Sequence, residues 1–364
     1  MQPTPQSRST ISSAIPREPA ADSLDRRSFL KLAGAGAMAA AVPQAAHAVT
    51  PAAASTVPPS SPKAVGAVPM GKIGELNLSR LMLGTNHITF YMHSRDLRYV
   101  DQLSRHYNSD EKIIETFATA EANGVNTFMT HSDAKIEKLF KEYRDKRGGK
   151  MKWIVAPWIS SEGTVTDLAG YSRTVPQLVD SGVDALYVPG MLTGPLVNQG
   201  KGALIGEMLN VIKASGLPAG VASHGVDVVQ FCEKAKLPVD FYVKTFHHLK
   251  YPTAVKPEEL AKLRQSAERY PRGDLKCDYA EVPGFWCGNP EETAEFMKGV
   301  AKPWIAFKVM AAGAIPPRDA FRYAYSNGAD FILAGMFDFQ IAEDAQIAHD
   351  TLASLKSRPR PWCG

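Results

Sequence analysis

The sequence predicts an α/β chain, a (β/α)8 TIM barrel with a lid insertion between its sixth and seventh strands. Three observations carry this. From Ser79 onward, eight short β-rich apolar runs alternate with amphipathic helical stretches over about 280 residues, the size of one such barrel. Gly124-Val125-Asn126, Gly182-Val183-Asp184 and Gly328-Ala329-Asp330 lead into the second, fourth and eighth runs, where glycine ends a helix and turns the chain into a strand. No GxGxxG follows an early strand, which argues against an open dinucleotide-binding sheet.

In chain order, Asp25-Arg26-Arg27-Ser28-Phe29-Leu30-Lys31 opens an Ala- and Gly-rich apolar run, Leu32 to Val42, that ends at Ala46-His47-Ala48. This pattern predicts a twin-arginine export signal over residues 1–48, a periplasmic or secreted location, and the twin-arginine translocation machinery as a partner. The run is shorter than the roughly 20 residues a membrane span needs, so no stable membrane insertion of the mature chain is expected. Residues 49–69 are rich in Ala, Pro and Ser and read as a disordered linker. Residues 70–364 form the barrel domain.

Its strands are expected at Arg80–Thr85, Val125–Thr130, Trp153–Trp158, Ala185–Pro189, Ala219–Ser223, Phe241–Phe246, Trp304–Met310 and Phe331–Gly335. Helices are expected after them, for example at Asp110–Asn123, Asp133–Arg147, Lys201–Ser215 and Ile341–Lys356. Thr253–Pro290 is longer than a crossover needs, and long insertions of this kind cap the active-site face. The formal net charge of +4 predicts no nucleic-acid partner. The four cysteines Cys232, Cys277, Cys287 and Cys363 show no CxxC spacing, which argues against a zinc ribbon or iron–sulfur cluster. Cys277 and Cys287 flank a short loop, either bridged in an oxidising compartment or free.

Gly71-Lys72-Ile73-Gly74-Glu75-Leu76-Asn77-Leu78-Ser79-Arg80-Leu81-Met82-Leu83-Gly84-Thr85 resembles the first hairpin and strand of aldo-keto reductases, and Gly124-Val125-Asn126-Thr127-Phe128 resembles their second strand. The resemblance implies a TIM barrel with an NAD(P) site. It breaks at the catalytic set. Met129-Thr130-His131-Ser132-Asp133-Ala134-Lys135 lacks the expected Tyr, Ile154-Val155-Ala156-Pro157-Trp158 lacks the Lys, and Leu186-Tyr187-Val188-Pro189 lacks the His. Hydride transfer to a carbonyl needs a proton donor at the oxygen, and that role is left unassigned.

Polar residues at strand ends are the default candidates in such a barrel: His87, His131, His224, His247, His248 and Asp338. A His after strand five, a His after strand six and an Asp after strand eight resemble the metal positions of amidohydrolase-like barrels. That resemblance implies zinc, manganese or iron on His224, His247 and Asp338. The alternatives are hydrogen-bonding histidines and Asp338 as a helix cap. Lys244 and Lys308, inside strands six and seven, resemble locally the paired lysines of deoxyribose-phosphate aldolase. Buried in the lumen, either would act as base or Schiff-base nucleophile; facing outward, neither would. His131 is a further catalytic candidate, or a fourth metal ligand. Asn86, Trp158, Tyr187 and Trp286 are candidates for substrate contact at the mouth, and Gly313 and Gly335 for anion or phosphate contact.

The leading expectation is a periplasmic, metal-dependent enzyme acting on a sugar or small polyhydroxylated carbonyl compound by hydrolysis, lyase or isomerase chemistry. The alternatives are an NAD(P)-linked oxidoreductase and a non-catalytic carbohydrate-binding protein.

Overall fold

In the computed structural model, which describes residues 67–91, 99–157, 168–254, 256 and 287–364, eight parallel strands close into a barrel. A hairpin precedes it. Strands β1 (Met70–Ile73) and β2 (Leu76–Ser79) pair antiparallel across a turn at Gly74, whose φ of 56° suits glycine. Ile73 and Leu78 turn inward and pack with Met82 and Phe331 at the lower end of the lumen.

The barrel strands are β3 (Leu81–Gly84), β4 (Thr127–His131), β5 (Lys152–Ala156), β6 (Ala185–Val188), β7 (Ala219–Ser223), β8 (Phe241–Thr245), β9 (Trp304–Phe307) and β10 (Phe331–Gly335). Each pairs with the next, and β10 pairs with β3 to complete the ring. The (β/α)8 expectation is therefore met. Gly124, Gly182 and Gly328 adopt φ of 79°, 82° and 105°, the left-handed helix ends foreseen for them. Strand β9 stops at Phe307 rather than Met310, because Lys308 turns left-handed with φ 56°.

Among the described residues the helices are α1 (Tyr99–Tyr107), α2 (Asp110–Ala122), α3 (Ala134–Arg147), α4 (Leu168–Asp180), α5 (Gly190–Asn198), α6 (Ala203–Lys213), α7 (Val226–Lys234), α8 (Pro290–Met297), α9 (Pro317–Ser326) and α10 (Asp338–Ser354). Local sequence explains their ends. Ser109 accepts the Lys112 N–H at the start of α2, and Asp133 accepts the Ile136 N–H at the start of α3. Helix α3 ends on Gly148 with basic residues in its last turn. Helix α1 is an addition between β3 and α2 that the sequence pattern does not announce, and it buries only Ser104.

The two faces of the strands bury separate clusters. Met82, Met129, Ile154, Ala185, Ala222, Phe241, Val243, Ile305 and Phe331 fill the lumen. Leu81, Leu83, Phe128, Trp153, Val155, Val221, Tyr242 and Trp304 pack outward against the helices. No helix among the described residues is long and apolar enough to cross a membrane. The export signal, most of the linker, Cys277, Trp158, Trp286 and most of the Thr253–Pro290 lid lie outside the described residues.

Asp344 illustrates a cost inside this shell. It is 4% exposed on α10, and burial, reinforced by Glu343, pushes its carboxyl up to about 7. The folded state therefore holds this proton more tightly than the unfolded chain. The associated stability is present below about pH 4 and is lost as pH rises to about 7. Asp344→Asn is expected to stabilise the protein by about 2 kcal/mol at pH 8 and by almost nothing at pH 4, read by urea denaturation at both values. Equal gains at the two pH values would exclude this origin.

Candidate active site

Strand parity selects the side chains at the mouth. Tyr187, Phe307 and Leu333 pack against the lumen cluster. Residues two positions beyond Met129, Ala222, Val243 and Leu333 share that face, which brings His131, His224, Thr245 and Gly335 to the C-terminal rim. The rim thus carries two imidazoles, a phenol and a hydroxyl above an apolar floor.

His224 is the best positioned of these. Its Nδ1 lies 2.7 Å from Thr245 Oγ1, and Thr245 donates to the Ser223 carbonyl at 3.2 Å. With its only proton used there, Thr245 accepts from Nδ1–H, and the basic nitrogen is Nε2. The ring also leans on Phe307, at a centroid distance of 5.5 Å. His131 meets Tyr91 edge to face at 4.6 Å. Phe90, left-handed at φ 61°, aims Tyr91 there; strain of this kind collects at functional sites. Burial lowers the His131 pKa, against the pull of Asp133. Burial raises that of Tyr187, so it remains a neutral phenol at the rim.

The loop after β9 adds a second feature. Lys308, Ala311, Ala312 and Gly313 are all left-handed, at φ 56°, 46°, 53° and 81°. This coil ends at Pro316 and Pro317, where α9 begins. It presents a short, nearly side-chain-free stretch of backbone beside a lysine, at a helix start: features that suit a phosphate.

Other candidates are not brought to the rim. Both nitrogens of His247 are committed: Nδ1 to the His248 carbonyl at 3.0 Å, and Nε2 to the Cys287 N–H at 3.1 Å. Burial lowers its pKa to about 4, with Lys244 and Lys308 adding to the effect. Asp338 opens α10 and accepts from Tyr107 at 2.6 Å and Lys112 at 3.2 Å. Burial raises its pKa, but those two donors outweigh it and hold the carboxyl low. The predicted ligands His224, His247 and Asp338 therefore do not converge. Among the described residues no three His, Cys, Asp or Glu side chains are grouped to hold a metal. Lys244 corrects another expectation. Phe241 and Val243 face the lumen, so Lys244 faces out, fully buried, donating to the Thr245 carbonyl at 2.7 Å. Burial lowers its pKa, yet it cannot reach a ligand in the lumen. Lys308 lies past β9, with Nζ 5.9 Å from the Phe307 ring centre. Asn86 and Gly313 are exposed on mouth-side loops. Thr245 and Tyr91 are the additions that sequence reasoning missed. Only strand parity would have pointed to Thr245.

A cleft of about 1070 Å³ opens on the opposite face, lined by the β1–β2 hairpin, Pro218, Pro303 and Trp362. Its two aspartates are occupied: Asp184 by Arg144 and Lys152, Asp240 by Lys213. Catalytic groups in this architecture come from C-terminal strand ends, so the mouth is the candidate site.

The fold and rim define a (β/α)8 barrel protein with an imidazole-lined mouth. No protein-family model matches the sequence, and no curated protein is significantly similar to it. Solved structures of similar shape include the aldo-keto reductase AKR11C1 from Bacillus halodurans in its holo form. It is 10% identical, with 80% of this chain and 97% of that one covered and a TM-score of 0.50. Another is an aldo-keto reductase from Brucella melitensis, 12% identical, with 80% and 98% covered and a TM-score of 0.40. A third, described as QR15, an aldolase, is 14% identical, with 68% and 90% covered and a TM-score of 0.36. At such identity the first shows a shared fold, and chemistry must come from the site.

Proposed function

We propose that this chain is an exported, NAD(P)-linked oxidoreductase that interconverts carbonyl and alcohol groups on a small polyhydroxylated compound, with His224 handling the proton. The observation that carries the reading is the His224–Thr245 pair at a rim whose other polar groups are neutral. A site that must protonate and deprotonate an oxygen needs a base held in place, and an imidazole fixed through Nδ1 is a side chain of that kind. The sequence resemblance of the opening hairpin and first two strands to aldo-keto reductases supports the same class, as does the fold shared with AKR11C1.

The cofactor suits the residues present. Its phosphates would be held by the left-handed loop Ala311–Gly313, Lys308 and the start of α9. When bound, the cofactor supplies or accepts the hydride. His224 gives the proton to the carbonyl oxygen in reduction and removes it from the alcohol in oxidation. Tyr187 and His131 orient that oxygen by hydrogen bonds. The apolar floor of Met129, Val243 and Phe307 keeps water from the reacting carbon.

The test is direct. Purified protein titrated with NADPH should quench the cofactor's fluorescence and bind it at micromolar concentration. Small aldoses, ketoses and hydroxyaldehydes should then oxidise it, followed at 340 nm as a property of the cofactor. Absence of binding to both NADPH and NADH would sink the reading.

A further inference from the structure

Gly335 has no reason within the fold to be glycine. Its φ is not left-handed, and a Cβ built on it would meet only His87 Nδ1, at 3.6 Å, an ordinary contact. Its register partner differs. A Cβ on Gly84 would sit 3.0 Å from the Gly335 nitrogen, so close backbone approach excludes any side chain there. Glycine weakens a strand, and where neither conformation nor packing asks for it, the approach of something else accounts for it. Gly335 is exposed on the lumen face of the rim.

His87 lies directly behind. It is 5% exposed, and neither ring nitrogen makes a hydrogen bond within the protein. Burial lowers its pKa to about 4, against the pull of Asp338 and of the nearby Met336 backbone, which is not in bonding geometry. Ser104 Oγ and Asn108 Nδ2 fix the His87 carbonyl at 2.6 and 2.9 Å. Phe337 covers the ring at a centroid distance of 4.9 Å. A buried imidazole held this firmly has given up its water without gaining a partner, and such groups call for one.

We propose that Gly335 and His87 form a notch, at the seam of the first and last barrel strands, that receives a hydroxyl group of a polyol or sugar. A hydroxyl both donates and accepts, as a neutral imidazole does. A cationic ligand group would find the nearby carboxylate, Asp338, already held by Lys112 and Tyr107. The assignment rests on the proposed function for the substrate class and goes beyond it by giving that class a contact.

Two variants test it by saturation-transfer NMR titration with erythritol and glucose. Wild type should bind one of them saturably at millimolar concentration. Gly335→Ala fills the notch with one methyl, and it should keep the melting temperature within about 2 °C while weakening binding at least tenfold. His87→Leu removes an unpartnered polar group, and it should raise the melting temperature of the unliganded protein and abolish binding. Wild-type affinity in Gly335→Ala, or no saturable binding by wild type, overturns the notch. Polyol binding without NADPH turnover keeps the notch and sinks the oxidoreductase reading. Full NADPH turnover in a Gly335→Ala protein of unchanged polyol affinity does the reverse.

Discussion

Replacing Asp330 with alanine is expected to lower the unfolding free energy by about 3–5 kcal/mol and the melting temperature by roughly 10 °C. Asp330 is fully buried just before β10. Its Oδ2 accepts from Arg360 Nη1 at 2.8 Å and from the Trp304 N–H at 3.0 Å. Its Oδ1 accepts from the Cys363 N–H at 3.0 Å, with Arg358 at 3.6 Å. Arg360 in turn donates to the carbonyls of Gly328, Val300 and Lys302. Arg80 donates to the Asp330 and Gly364 carbonyls, and its guanidinium and that of Arg358 lie 3.7 and 3.3 Å from the centre of the Trp362 ring. One carboxylate thus ties residues 358–363 to the starts of β9 and β10.

Burial already pulls Arg358 down to about 10, with Asp330 as the opposing influence. Without the carboxylate, Arg358 and Arg360 become buried cations with no counter-charge. Asparagine is no substitute, because every partner of Asp330 donates and the amide would present a donor to one of them. Urea denaturation reads the effect as a lower midpoint at unchanged slope. A loss below about 1 kcal/mol would reduce the cluster to the rank of an exposed pair such as Lys298–Glu295.

The sequence exposed the barrel because its signals are local. Alternating runs, and glycines that end helices at 124, 182 and 328, need no tertiary knowledge. Strand facing was much less legible. Parallel barrel strands are buried on both sides, so Phe241-Tyr242-Val243-Lys244-Thr245 offers no polar face to set the register. The facing of Lys244 was consequently open in the sequence, while Thr245, which does face the lumen, passed unnoticed. Long-range pairs were equally hidden. Asp330 and Arg360, or His87 and Gly335, meet only once the ring has closed. The metal expectation failed for a related reason. His247 ends the correct strand, but its neighbours His248 and Cys287 satisfy both ring nitrogens.

Substituting His224 with alanine is expected to lower kcat/KM for carbonyl reduction by about 10²–10⁴-fold, the usual contribution of a general acid–base group. The fold should tolerate the change, because His224 is half-buried at the rim and Thr245, which it bonds, keeps its own bond to Ser223. NADPH affinity should also persist, since the residues proposed to hold the phosphates lie on the β9–α9 loop. The informative readout is rescue. Free imidazole can enter the space left by the side chain and carry the same proton, so turnover of His224→Ala should rise with added imidazole, saturably. A residue that merely shaped the rim would not be replaced in this way. Thr245→Val makes the complementary change: it leaves the imidazole in place but removes the oxygen that fixes Nδ1. The expected loss is smaller, on the order of tenfold, and falls on kcat rather than KM, because orientation of the base matters in the transition state more than in substrate binding. Full turnover in His224→Ala, or a large loss that imidazole leaves untouched, would move the proton-transfer role to Tyr187 or His131, which flank the same rim.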